Sequence, residues 1–136
     1  MNKEPNINLL NKLSLVTGAS GYIGSCVAEK LASNGSNLIL VDINHNQLNK
    51  LSKKIQKINK KIKIDVISID LSVESERHDL VKHVKKHYNK IDIMINSIGM
   101  VGTDTADGWN VEYDKQSLKA WNKCLEINIT SIFFLN

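Results

Sequence analysis

The sequence predicts a doubly wound α/β domain, a parallel sheet with helices on both faces in three α/β/α layers. Three observations carry that expectation. Apolar runs of strand length alternate with amphipathic stretches of helical length along most of the chain. The first apolar run, residues 13–16, opens directly onto the glycine-rich turn Thr17-Gly18-Ala19-Ser20-Gly21-Tyr22-Ile23-Gly24. Asp42, Asp70 and Asn96 each close a later apolar run, which would set them along one edge of a parallel sheet.

Residues 1–12 are polar and read as a loose lead-in. Residues 13–16 are the first strand. The first helix carries Ile23, Val27 and Leu31 at four-residue spacing as its inner stripe, with Ala28 and Ala32 on the shoulder, and Asn34-Gly35 stops it. Residues 37–41 form the second strand, apolar throughout as suits a strand covered on both faces. A lysine-rich helix over about 46–59 repeats Leu48, Leu51, Ile55 and Ile58. Residues 62–69 are the third strand. The third helix runs from about 73 to 88 with Leu80, Val81, Val84 and Tyr88 inward, and residues 91–95 are the fourth strand. A loop rich in Gly, Asp and Thr spans 96–114, and its Trp109 and Tyr113 either wall a pocket or pin the loop to the core. The last helix starts near Lys115, with Leu118, Trp121, Leu125, Ile129 and Ile132 as the expected buried stripe.

At 136 residues the chain has the size of one domain, and 42% apolar with 24% charged residues is ordinary for a globular one. The net charge of +4 is modest and comes largely from the lysines of 50–63. No aromatics interleave them, so they read as a solvated helix face rather than a nucleic-acid patch. Cys26 and Cys124 fall in predicted helices as packing residues and form no metal or redox motif. The first twelve residues lack a leader-peptide core, and no apolar run nears the ~18 residues of a membrane span. A soluble cytoplasmic protein without membrane or nucleic-acid partners is expected.

A strand, a glycine-rich turn and a helix in succession can hold a dinucleotide pyrophosphate on the helix N-terminus. Gly18 would take turn angles closed to other residues, Gly21 would let the backbone approach the phosphates, and Gly24 would let the helix pack closely. Asp42 lies 18 residues after Gly24, near the spacing of an acid that accepts from a ribose 2′-hydroxyl. Asp70 with Leu71 would border the adenine, and Asn96 would lie near the middle of the cofactor. Any one of these acids or amides alone could simply end a strand. Asn128 falls on the expected apolar stripe, so it is either satisfied by backbone or water or serves a site. His83 and His87 are four apart, but Val84, Lys85 and Lys86 fill the gap where a zinc-peptidase glutamate would stand, so two exposed histidines and no metal site are expected. His45, just past Asp42, could brush the adenosine but reads by default as a loop residue.

On these residues the chain resembles the short-chain dehydrogenase/reductase family over nearly its whole length. Thr17, Gly18, Ser20, Gly21, Tyr22, Ile23 and Gly24 stand in the likeness of its nucleotide-binding turn, with Asp42 and Ile43 after the second strand. Asp70-Leu71-Ser72 resembles its adenine-side motif. Asn96-Ser97-Ile98-Gly99 resembles the end of its fourth strand, usually Asn-Asn-Ala-Gly, and Asn128 matches the helix asparagine of its catalytic tetrad. The resemblance implies a Rossmann domain and hydride transfer between a nicotinamide cofactor and an alcohol or carbonyl. It also implies oligomerisation of the intact protein through helices that include the last one here.

There are departures. The spacing Thr-Gly-x-x-Gly-x-x-Gly is typical of the extended branch, with its nucleotide-sugar epimerases and dehydratases, while the later segments look like the oxidoreductase branch. The mixture is similar to dehydrogenases of surface-sugar and flagellin-modification pathways, so a sugar or sugar nucleotide stands beside a simple alcohol as candidate substrate. Ile98 is bulkier than the usual alanine. The family's Tyr-x-x-x-Lys pair is missing: Cys26, Asp92 and Ser117 stand four residues after Tyr22, Tyr88 and Tyr113. The chain is therefore expected to be the cofactor-binding half of a longer enzyme, ending after the fourth strand and its helix, and inactive alone. A complete, non-catalytic dinucleotide-binding protein is the further alternative. A carboxylate at Asp42 followed by uncharged Ile43 favours NAD over NADP.

Overall fold

The computed structural model describes residues 7–101 and 108–136. The strands are β1 (Leu13–Thr17), β2 (Asn37–Asp42), β3 (Ile64–Ser68) and β4 (Ile93–Asn96). All pair in parallel, in the order β3-β2-β1-β4. The helices are α1 (Tyr22–Ser33), α2 (His45–Ile58), α3 (Glu74–His87), α4 (Leu118–Leu125) and α5 (Ser131–Leu135). A short 3-10 turn, Tyr113–Lys115, precedes α4, and a π-helical turn, Glu126–Thr130, joins α4 to α5. Thr17 pairs with Val41 and Asn96, and Asp42 pairs with Ser68, so the strands end nearly level.

The continuous apolar runs are explained by burial on both faces. Leu38 and Leu40 pack with Val16, Ala28, Leu48 and Ile55 under α1 and α2. Ile39 and Val41 pack with Leu15 and Leu80, joined by Val84 and Leu135, under α3 and α5. This is the three-layer Rossmann-like arrangement. Residues 1–6 of the expected lead-in lie outside the described residues. The rest of it is not loose: the Leu9 amide donates to the Asn34 carbonyl (2.9 Å), and the Asn37 amide donates to that of Lys12 (2.9 Å).

Two helix faces differ from expectation. In α1 the buried stripe is Gly24, Ala28 and Ala32, while Ile23 faces solvent. The small residues let the helix close on the turn before it: a Cβ on Gly24 would fall inside the Gly18 carbonyl oxygen. In the last helix the buried positions are Ala120, Cys124 and Ser131, and Leu118, Trp121 and Ile129 are exposed with Phe133. The turn between α4 and α5 holds one residue more than an α-turn. The Ser131 amide reaches back five residues to the Glu126 carbonyl, and the Ser131 hydroxyl donates to the Ile127 carbonyl (2.6 Å). Cys26 is exposed rather than packed, whereas Cys124 is buried. Ile58 is exposed at the end of α2, past the buried Leu48, Leu51 and Ile55.

The α2 lysines face outward, and Lys54 pairs with Glu29 of α1 (2.6 Å). His83 is half-buried and bonds Asp65 Oδ2 (2.7 Å), which also accepts from the Tyr88 hydroxyl (2.9 Å). Burial, with the Asp65 carboxylate beside it, pushes the Tyr88 phenol up to about 12. His87 is exposed beside the His83 ring. Among the described residues no group of three His, Cys, Asp or Glu side chains could hold a metal ion, and no helix is long and apolar enough to cross a membrane.

At the opposite end of the sheet from the strand tips, Asp92 ties β4 to β1. Its carboxylate pairs with Lys90 (2.8 Å), accepts from the Leu13 amide (3.0 Å) and pairs with Lys12 (3.2 Å). Lys90 above all, then the Leu13 amide, holds its carboxyl down to about 2 from the ordinary 3.8. Because the folded value is the lower one, the unfolded chain binds the proton first. The contribution is present above the ordinary value and is lost as pH falls toward 2. Acid titration of the melting temperature is expected to show that loss, and Asp92→Asn is expected to flatten it in this window while lowering stability at neutral pH.

Candidate functional site

The strand order reverses between β1 and β4, so the chain leaves the two neighbouring strand tips in opposite directions. In an open α/β sheet that divergence makes a crevice. A cleft of about 500 Å³ lies there. Its floor is the close meeting of two turns. The Ser97 amide donates to the Thr17 carbonyl (3.1 Å), and Gly18, at φ +62°, lies so near the second turn that a Cβ would stand 2.6 Å from the Ser97 carbonyl oxygen. Only glycine meets both demands, since the angle is unfavourable for other residues and the space is filled by backbone.

The glycine turn contributes Gly18 and Gly21 to the cleft wall. Gly21 is the N-cap of α1, with no side-chain cap and no acidic residue in the first turn. The free amides of a twelve-residue helix therefore open at the mouth, with the positive end of its dipole. Tyr22 and Ile23 are exposed there, and Gly24 is buried behind them. Thr17 is buried under the turn and donates to Asn96 Oδ1 (3.4 Å), so these two brace the strand tips rather than line the cleft.

Asp42 is held by both oxygens. Oδ2 accepts from the Ser20 amide and Oδ1 from the Asn44 amide, each at 3.0 Å. The first bond fixes the glycine turn and the second fixes the start of α2, where the Asn44 side chain caps the helix by accepting from the Gln47 amide (3.1 Å). Each oxygen keeps a further acceptor position. Ile43 follows on the cleft wall and is exposed. Opposite, Asp70 Oδ1 accepts from the amide (2.9 Å) and hydroxyl (2.7 Å) of Ser72. That turn presents Asp70 and Leu71 to the cleft.

The far wall is Ser97, Ile98 and Gly99, continued by Met100. Asn128 reaches this wall from the π-helical turn. Its Oδ1 accepts from the Met100 amide (2.7 Å), and its Nδ2 donates to the Met100 carbonyl (3.0 Å). The amide is thus satisfied by backbone, and it fixes the segment that follows β4. Trp109 donates to the Val101 carbonyl (2.9 Å), which pins that end of the loop, whereas Tyr113 is exposed. Residues 102–107 of the loop lie outside the described residues.

Four lining residues were not foreseen: Ile69, Met100, Lys123 and Ile127. Lys123 and Ile127 are one helical turn apart, a spacing legible in the sequence once α4 is known to face the cleft. His45 stands at the start of α2 and pairs with Asn49 (2.8 Å), away from the cleft wall.

A family model described as short chain dehydrogenase matches residues 12–136. An oxidoreductase of Staphylococcus epidermidis is 35% identical over 118 residues, covering 87% of this chain and 46% of that protein. The NAD-dependent glycerol dehydrogenase of Listeria innocua is 27% identical over 132 residues, covering 97% and 47%. The chain spans about half the length of the curated relatives it matches. Among solved structures, hydroxysteroid dehydrogenase from Escherichia coli superposes with a TM-score of 0.78 at 25% identity, over 96% of this chain and 51% of that one. L-sorbose reductase from Gluconobacter frateurii, solved with NADPH and L-sorbose, superposes with a TM-score of 0.81 at 19% identity, over 96% and 46%. With the strand order, the glycine turn and the strand-tip residues already in place, the chain belongs to the short chain dehydrogenase family.

Proposed function

We propose that this chain is the dinucleotide-binding portion of an NAD-dependent oxidoreductase acting on an alcohol or carbonyl of a small molecule. The observation that carries it is Asp42, a carboxylate at the tip of β2 in the same cleft as an uncapped helix N-terminus. The two features suit the two ends of an adenosine diphosphate. The α1 amides and the bare Gly18 and Gly21 backbone would receive the phosphates. Asp42 would accept from the ribose 2′-hydroxyl, while Ile43 and Leu71 would flank the adenine. The Ser97–Gly99 turn, braced from below by Asn96, would carry the middle of the cofactor. A carboxylate at Asp42 repels a 2′-phosphate, which favours NAD over NADP. The Listeria relative, named as an NAD-dependent glycerol dehydrogenase, supports the same choice and favours a small polyol substrate. The relatives named are oxidoreductases, which favours that class over an epimerase or dehydratase. A cytoplasmic setting goes with this reading.

A bound nicotinamide ring supplies the hydride acceptor or donor. The described residues would seat and orient it, and Asn128 would hold the Met100 wall beside it, the place the family gives its tetrad asparagine. A Tyr-x-x-x-Lys pair does not occur in the sequence, so no matched proton donor is supplied here and the chain alone is proposed to bind without turnover.

Titration of NAD and NADP by calorimetry tests this. The chain is expected to bind NAD more tightly, and Asp42→Ala to weaken NAD about tenfold or more, the scale of a hydrogen bond to a charged group. Equal affinity of the parent for both cofactors would remove the assignment.

The exposed Leu118, Trp121, Ile129 and Phe133 form an apolar face on the last helix, and we propose that it supports a homo-oligomer. Sedimentation at micromolar concentration is expected to show self-association, weakened by Phe133→Glu. A parent that stays monomeric across that range would count against it.

A further inference from the structure

Arg77 is a cation in an unusual place. It lies on α3 and is only 4% exposed. Burying a guanidinium is costly, and buried ion pairs can often be replaced by apolar residues of similar volume without loss of stability. Its contacts go to three separate segments. Nη1 donates to the Leu71 carbonyl (2.8 Å), on the turn that gives Asp70 and Leu71 to the cleft. Nη2 lies 3.1 Å from Glu126 Oε2, on the first residue of the π-helical turn that carries Asn128. The guanidinium carbon sits 5.7 Å from the Phe134 ring centre, and that ring meets His78 edge-on.

The Glu126 contact is not a bidentate fork. Arg77 Nε and Glu126 Oε2 are both enclosed without a hydrogen-bond partner among the described residues. A pair of this kind, buried on the Arg77 side and partly exposed on the Glu126 side, is a weak stabiliser, so its use is better sought in what it joins. It joins the two walls of the cleft from behind. Leu71 is on one wall, and Ile127 and the Asn128-held Met100 are on the other.

We propose that Arg77 is a positioning residue, a strut that sets the distance between the Leu71 wall and the turn bearing Asn128. The adenosine end and the Met100 end of the cleft then move together. This rests on the dinucleotide reading above for its ligand, though not for the strut itself. Glu126 touches no part of the proposed nucleotide seat, so any effect it has there must pass through Arg77 or the turn.

Two readouts test it in the 136-residue chain: AMP affinity, which probes the adenosine end alone, and hydrogen exchange of the Met100 amide without ligand. Arg77→Met is expected to weaken AMP about tenfold, one hydrogen bond to a charged group. Glu126→Gln, at a partly exposed side chain, is expected to weaken AMP several-fold and to speed Met100 exchange, with the double variant no worse than Arg77→Met. If the parent binds AMP while Glu126→Gln leaves both readouts at parent values, the strut is overturned. If the parent binds neither AMP nor NAD, the dinucleotide reading falls, and Met100 exchange in Glu126→Gln still decides the strut. Should Arg77→Met fail to fold, Glu126→Gln carries the test.

Discussion

Everything at the ligand edge depends on one close approach. The turn after β1 and the turn after β4 touch backbone to backbone, with Gly18 against Ser97 and Ile98. Neighbouring strands that pair in parallel bring their tips together, and the reversal of strand order sends the following segments apart. The cleft is the space between them. Were the turns further apart, the α1 amides and the Ile98–Gly99 wall would not face one ligand. A residue without a side chain at Gly18 is therefore a condition for the site's shape as well as for its turn.

Charge follows the same economy. Asp42 serves as an internal brace, taking amides from the glycine turn and from the start of α2, and still offers acceptor positions to the cleft. Asp70 is likewise committed on one oxygen to the Ser72 turn. Groups held in this way lose little further freedom when a ligand arrives, which is the advantage of a preorganised site. The amides of α1 need no comparable brace, because the helix itself holds them in line.

Much of this was legible in the sequence, and the misses have physical causes. The second strand could be read because a strand buried on both faces is apolar at every position, as Leu38 to Val41 are, whereas β3 and β4 are only partly buried and start two residues after the runs that announce them. The positions of the glycine turn and of Asp42 could be read because a strand, a glycine turn and a helix in succession fix where the next strand tip falls. The helix faces were harder. Spacing finds a stripe in α1 and α4 but does not say which stripe meets the sheet, and small residues won in both cases: Gly24, Ala28 and Ala32, then Ala120 and Cys124. Nothing local in the sequence marks Arg77 as a buried cation or Lys123 as one that lines a cleft. The partner of Asn128 is the backbone of Met100, 28 residues away, and a main-chain partner leaves no mark in the sequence.

The π-helical turn has a consequence for how the family member can change over time. Winding the same residues 126–130 at the regular α pitch, with none dropped, would swing everything beyond them by about 100°. Phe134 would leave the Arg77 guanidinium, and Leu135 would leave the apolar cluster under β1 and β2. Loss of one residue together with closure of the turn to α pitch would keep α5 on its face, so the length and the pitch of this stretch can change only together.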